Sequence, residues 1–289
     1  MADIFEIVGK VSLDGIDKAE KDLKGFSNEG EQSASKLSKL GGIAGAVGKG
    51  VLIGTGAVAT GAVALVRSVS GAYGQLQQSI GGIETLFGNS AKKVIENANN
   101  AYTTAGISAN DYMQQVTSFS ASLLQSLGGD TEKACNYADT AVRDMADNAN
   151  KMGTSMEDIQ HAYQGFAKGN YTMLDNLKLG YGGTATEMAR LINDSGVLGD
   201  KMIDLSDKQN IGNALAEVGY AKQIEAIHKI QEEMGITGTT ALEAGETVEG
   251  SFNSLSASWQ NFIAGLGNKD ADMGQLVQNL VTQGFNISK

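Results

Sequence analysis

Two histidines, His161 and His228, one cysteine, Cys135, and the oxygen-rich triplet Asn268, Asp270, Asp272 are the side chains whose types and spacing invite a chemical reading. A catalytic or structural zinc needs three or four His, Cys or carboxylate ligands at recurrent spacings. Two isolated histidines, neither in an HExxH setting, do not supply them. Asn268, Asp270 and Asp272 imitate the first three ligands of a calcium loop. The sixth position is Met273 where the sharp turn needs glycine, and the twelfth is Asn279 where a bidentate glutamate belongs. The many glycines suggest a phosphate loop, yet Gly48-Lys49 is preceded by Ile43 where a Walker loop has glycine and followed by Gly50 where it has Ser or Thr. No GxSxG nucleophile elbow occurs. The expectation is therefore no catalytic residue, no metal and no cofactor: a protein that is not an enzyme.

The elements that would position any site follow from composition. The chain has 289 residues, 38 glycines and no proline. Losing the strongest helix breaker while keeping frequent Ala, Leu, Gln and Asn favours helices that glycine interrupts, loosely packed on one another. The fold class expected is mainly α: elongated, glycine-interrupted helices with a short N-terminal strand and a glycine-rich hydrophobic segment. Lys and Arg number 22 against 33 Asp and Glu, a net charge of −11. Such a chain is repelled by phosphate backbones, so specific nucleic-acid binding is not expected. A single cysteine forms no internal disulfide. Cys135 borders an apolar face of Ala134, Tyr137, Ala138, Ala141, Val142 and Met145, which reads as a core thiol. The start, MADIFEIVGK, is acidic at Asp3 and Glu6 and is not expected to be a cleavable signal.

Four segments follow along the chain. Residues 1–40 begin with a period-two alternation of Phe5, Ile7, Val11 and Leu13, a short strand, followed by a charged helix and a polar linker. Residues 41–70 are the glycine-rich hydrophobic segment. Residues 71–245 are a helical region in which Ser108, Thr131 and Thr154 start helices, Gly128-Gly129 ends one, and Ile211 to Met234 reads as one long helix. Residues 246–289 open with an amphipathic helix over 246–266. Its seam, Val248, Phe252, Leu255, Trp259, Phe262 and Leu266, suits a partner helix from the same chain or another.

The hydrophobic segment raises a membrane question. Between Lys49 and Arg67 lie 17 uncharged residues, about 25 Å of helix against a hydrocarbon core of about 30 Å. Gly41, Gly45, Gly50, Gly54, Val58, Ala62 and Val66 carry its small-residue spacings, the kind that lets helices approach closely in lipid. Glycine is a poor helix former in water. The segment is thus expected to be shielded until release, then to insert and self-associate; a buried hairpin or helix in the protein's own core is the competing structure.

Residues 154–192, TSMEDIQHAYQGFAKGNYTMLDNLKLGYGGTATEMARLI, closely resemble the core region of phage tail tape measure proteins. IETLFGNSAKKVI at 83–95 and TVEGSFNSLSASWQNFIAGLG at 247–267 resemble the same family, and the order of strand, helix and hydrophobic segment is similar. The resemblance implies a virion protein in the tail lumen that sets tail length during assembly and is ejected to assist genome passage across the host envelope. It implies as partners the tail tube protein, tail assembly chaperones, tail tip or hub proteins, further copies of itself and, conditionally, the host membrane. Fully helical, the chain would reach only about 430 Å, which suggests part of a longer protein or a short or processed member. A pore-forming or bacteriocin-like protein is the alternative; it shares the insertion segment but has no need of the 154–192 block.

Overall fold

The computed structural model describes residues 58–246, 248–266, 268 and 270–286. Among them the protein is mainly α and has no strand. The alternating N-terminal stretch and Gly41, Gly45, Gly50 and Gly54 lie outside the described residues. Eleven α-helices are described: α1 Val58–Phe87, α2 Ala91–Thr104, α3 Ala109–Ser126, α4 Thr131–Met152, α5 Met156–Phe166, α6 Ala185–Asp194, α7 Ile211–Val218, α8 Tyr220–Glu233, α9 Thr239–Glu246, α10 Val248–Leu266 and α11 Met273–Asn286. Short 3₁₀ turns at Gly88–Ser90 and Leu174–Leu177 complete the set.

Local chemistry explains the boundaries. Asp130 precedes α4 and accepts the Lys133 N–H at 3.0 Å, satisfying one of the donors that a helix start leaves unpaired. Gly153 ends α4 in the left-handed region at φ 66°. Ser155, not Thr154, caps α5: it accepts the Asp158 N–H and donates to the Asp158 carboxylate, while the Thr154 hydroxyl donates to the Asn176 carbonyl. The stretch from Ile211 to Met234 is two helices rather than one. Gly219 takes φ 79° and ψ 158°, which a side chain would resist, and breaks the hydrogen-bond ladder there. The break turns Tyr220 into the core, where its hydroxyl donates to the Tyr163 carbonyl at 3.0 Å and its ring meets Phe119 edge-on.

The chain divides into two compact units, one containing residues 58–78, 107–110 and 244 onward, the other Ser79–Gly106 and Asp111–Glu243. In the second, α8 packs on α4 and on α6, α4 also takes α2 and α5, and α6 takes α7. Ile83, Phe87, Tyr112, Leu123, Met145 and Ile227 are among its fully buried side chains, each contributing about 1.5–3 kcal/mol of apolar burial. Two tyrosines join helices by polar tips: Tyr112 donates to Asp139 between α3 and α4, and Tyr137 to Glu225 between α4 and α8. In the first unit α10 packs on α11 through Phe262, Ile263, Met273 and Val277, with Ala72 and Trp259 at the edge.

Candidate functional site

Helix α4 is apolar over Ala134, Ala138, Ala141, Val142 and Met145, and then its buried face turns polar: Asp144, Asp147 and Asn148, at positions i, i+3 and i+4, are all buried. Facing them, α8 buries Ile224, Ile227 and Ile230, and adds His228 and Gln231. Tyr163 on α5 is the third contributor. Buried carboxylates are costly unless paired, so the partners of these two define the site.

Asp144 is 1% exposed and meets His228 Nδ1 with both oxygens, at 2.8 and 3.1 Å. Asp147 has a different partner. Its oxygens accept the backbone N–H groups of Gly238 at 2.6 Å and Thr240 at 2.8 Å, which makes it the cap of α9 from a distant helix. Asn148 donates to the Leu177 carbonyl at 2.9 Å. The Asn148 Oδ1, the Tyr163 hydroxyl and both polar atoms of the Gln231 amide are buried and meet no hydrogen-bond partner of good geometry among the described residues.

Electrostatics follow from burial. Desolvation raises the Asp144 carboxyl to about 6, outweighing His228, which pulls it down. The bond to Asp144 raises His228 above its ordinary value, and burial opposes it. Burial, then Asp144, pushes the Tyr163 hydroxyl well above the usual phenol range, against a lowering influence of the nearby Gln231 amide. A carboxylate on Nδ1 is the arrangement that orients an imidazole for general base work. No Ser, Thr or Cys is hydrogen-bonded to the ring among the described contacts, and Cys135 lies instead beside Asn97. What the cluster does with the interactions it has is to tie α4 to α8, to the Leu174–Leu177 turn and to the start of α9.

Sequence reasoning passed over this cluster, although its signal was present. Three polar side chains on the extension of an apolar helical face, opposite an isoleucine stripe that carries His228, mark a buried polar seam. The other singled-out residues lie elsewhere. His161 is exposed on α5. Asn268 and Asp272 serve as turn and cap residues, accepting the N–H groups of Asp270 and Gln275. Among the described residues no group of three or more His, Cys, Asp or Glu is arranged to hold a metal ion. Val58, Ala62 and Val66 are in α1, and no helix among the described residues is long and apolar enough to cross a membrane. On α10, Leu255 and Phe262 are buried and Trp259 is partly buried, 5.6 Å from the Phe262 ring; Val248, Phe252 and Leu266 belong to the same helix.

The block 154–192 is a closely fitted turn structure. Lys178, the non-glycine with a left-handed backbone among the described residues (φ 54°), donates its ammonium to the Met152 carbonyl at the end of α4. Gly183 passes so near the Thr172 carbonyl that a Cβ there would collide with backbone. Thr184 caps α6 through the Glu187 N–H; Glu187 in turn holds Arg190, whose guanidinium stacks over the Tyr181 ring at 4.4 Å and donates to the Gly180 carbonyl. Compared with protein-family models, curated proteins and solved structures, the chain finds no match in any of the three.

Proposed function

We propose that this chain is a structural component of a phage tail, lying in the lumen of the tail tube, setting tail length during assembly and leaving ahead of the genome to assist its passage across the host envelope. The proposal rests on the resemblance of residues 154–192 to the core region of tail tape measure proteins, with 83–95 and 247–267 resembling the same family. A mainly helical fold suits a protein that must lie along a tube, since helices satisfy their backbone groups internally and advance about 1.5 Å per residue. The acidic net charge suits a molecule that leaves ahead of DNA rather than holding it. Its partners are then the tail tube protein, the tail tip or hub, assembly chaperones and further copies of itself. The exposed run from Ser206 to Asn210 can carry an epitope tag for electron microscopy of tails. The tag is expected to be hidden in intact tails and reachable after ejection. Tails that lack the chain, or that display the tag on their outer surface, would overturn the proposal.

Within it, Gly41 to Val66 is the membrane-active element, inserting after release through the Gly50 and Gly54 face. Val58→Asp then reduces liposome leakage by the released protein, since a mid-span carboxylate disfavours insertion by about 2.5–3.5 kcal/mol. Equal leakage by the variant, or none by the wild type, would remove the membrane element and leave the tail role to be judged by the tag.

A further inference from the structure

We propose that Asp144 and His228, with Tyr163 and Gln231 against them, form a proton-operated latch between α4 and α8, closed while the pair keeps its shared proton and loosened when that proton leaves. The geometry is that of a buried charge with a single exchangeable counter-charge. Both Asp144 oxygens lie within hydrogen-bond reach of one imidazole nitrogen. The carboxylate is sealed, but 33% of the His228 side chain reaches solvent, so the proton exchanges without unfolding the unit.

Among the described residues the other cation that acts on Asp144, Arg143, is its weakest influence and does not replace the imidazolium. On α4, Asp147 stands one turn on and adds negative charge, while Arg143 is half exposed and pairs with Asp139 at 3.6 Å. On α5 the Tyr163 hydroxyl is fully buried. On α8 the Gln231 amide makes no well-formed bond, and Glu232 favours the charged imidazole. The charged groups of α6 satisfy one another, Arg190 holding Glu187 and Asp194. The carboxylate of α7, Glu217, is exposed. When His228 becomes neutral, Asp144 is left as a buried anion whose neighbours are a second anion and polar groups with no good partner, and opening to water is its relief.

The direction follows from linkage. Asp144, lifted to about 6 chiefly by burial, and His228, lifted by its bond to Asp144, both hold protons more tightly in the folded chain. Folding therefore takes up protons. In acid the buried carboxyl is neutral and costs nothing; as pH rises through about 6 it becomes the anion that the imidazolium holds. The latch fails as pH passes the raised imidazole value, so stability falls with rising pH.

The test is amide hydrogen exchange on the full chain between about pH 5 and about pH 9, corrected for the intrinsic pH dependence of exchange. Protection of the α8 amides and of Gly238 and Thr240 is expected to fall severalfold or more relative to the α3 amides of the same unit. In Asp144→Asn that ratio is expected to stay flat. Ring NMR gives a second readout: His228 is expected to titrate above the ordinary imidazole range, and to move down in Asp144→Asn. A constant ratio in the wild type, an unchanged fall in the variant, or a His228 that titrates at the ordinary imidazole value would overturn the latch. Should the variant not fold, the wild-type series and the ring titration decide the matter alone.

Discussion

The Asp147 carboxylate accepts the backbone N–H of Thr240 at 2.8 Å across 93 residues of chain. Its other oxygen takes the Gly238 N–H, so α9 is capped from inside α4 rather than by a residue of its own. Asp147→Ala removes the cap and leaves two inward-facing donors unpaired. A cap alone is worth about 0.5–2 kcal/mol, and an orphaned buried donor about 1–3 kcal/mol. The expected loss in urea unfolding is about 2–3 kcal/mol, with Asp147→Asn intermediate because its amide keeps one acceptor oxygen. A loss below about 0.5 kcal/mol in Asp147→Ala would mean that the bonds are incidental.

That cap also shows where sequence reading stops. Helical content was legible from the absence of proline and from the caps, and the glycine pair Gly128-Gly129 does end α3, both residues taking positive φ. The apolar face around Cys135 was legible because it repeats at helical spacing, and most of it is buried. Gly219 was harder: glycine inside an apolar period is often tolerated, and only its left-handed φ with extended ψ decides that the helix breaks. Asp147 and Asp144 were illegible as partners of Thr240 and His228, because hydrogen bonds across 84 or 93 residues leave no periodic trace. Polar residues on an inner face announce that some partner exists. Only the tertiary packing says which.

Gly183 and its neighbour Gly182 should respond differently to the same change. A Cβ on Gly183 would run into the Thr172 backbone, whereas one on Gly182 meets the Glu187 Cγ at 3.6 Å, ordinary van der Waals contact. Gly183→Ala is expected to cost about 1–3 kcal/mol, as overpacking against immovable backbone does, and Gly182→Ala under about 1 kcal/mol. Thermal unfolding of the two variants checks this; equal midpoints would show that the 172–183 turn has room to shift.

Cys135 should be inert in the native protein. Its thiol is buried, and desolvation raises it to about 11, with Lys93 pulling weakly the other way. At neutral pH almost no thiolate is present to attack. A thiol reagent is expected to react on the time scale of unfolding and to accelerate with added urea. Immediate stoichiometric labelling without denaturant would place the thiol in solvent.

The seam on α10 yields the last test, because Trp259 is the chain's one tryptophan and reports on it directly. Its ring lies 5.6 Å from Phe262 and packs at the edge of the cluster of Ile263, Met273 and Val277. Phe262 is nearly buried and Trp259 only partly so, hence truncating the smaller ring should do more harm. Phe262→Ala is expected to cost about 3 kcal/mol, the low end for a core phenylalanine, since the cluster around it is small. It should also shift Trp259 emission to the red as water replaces the neighbouring ring. Trp259→Ala is expected to cost about 1–2 kcal/mol, part of it the aromatic pairing. Sedimentation of the same two variants separates the partners open to the seam: an unchanged mass assigns it to α11 within the chain, and a lighter species assigns it to a second copy. If neither emission nor stability responds to Phe262→Ala, the face is ordinary surface, and the regular spacing of its apolar residues has no packing consequence.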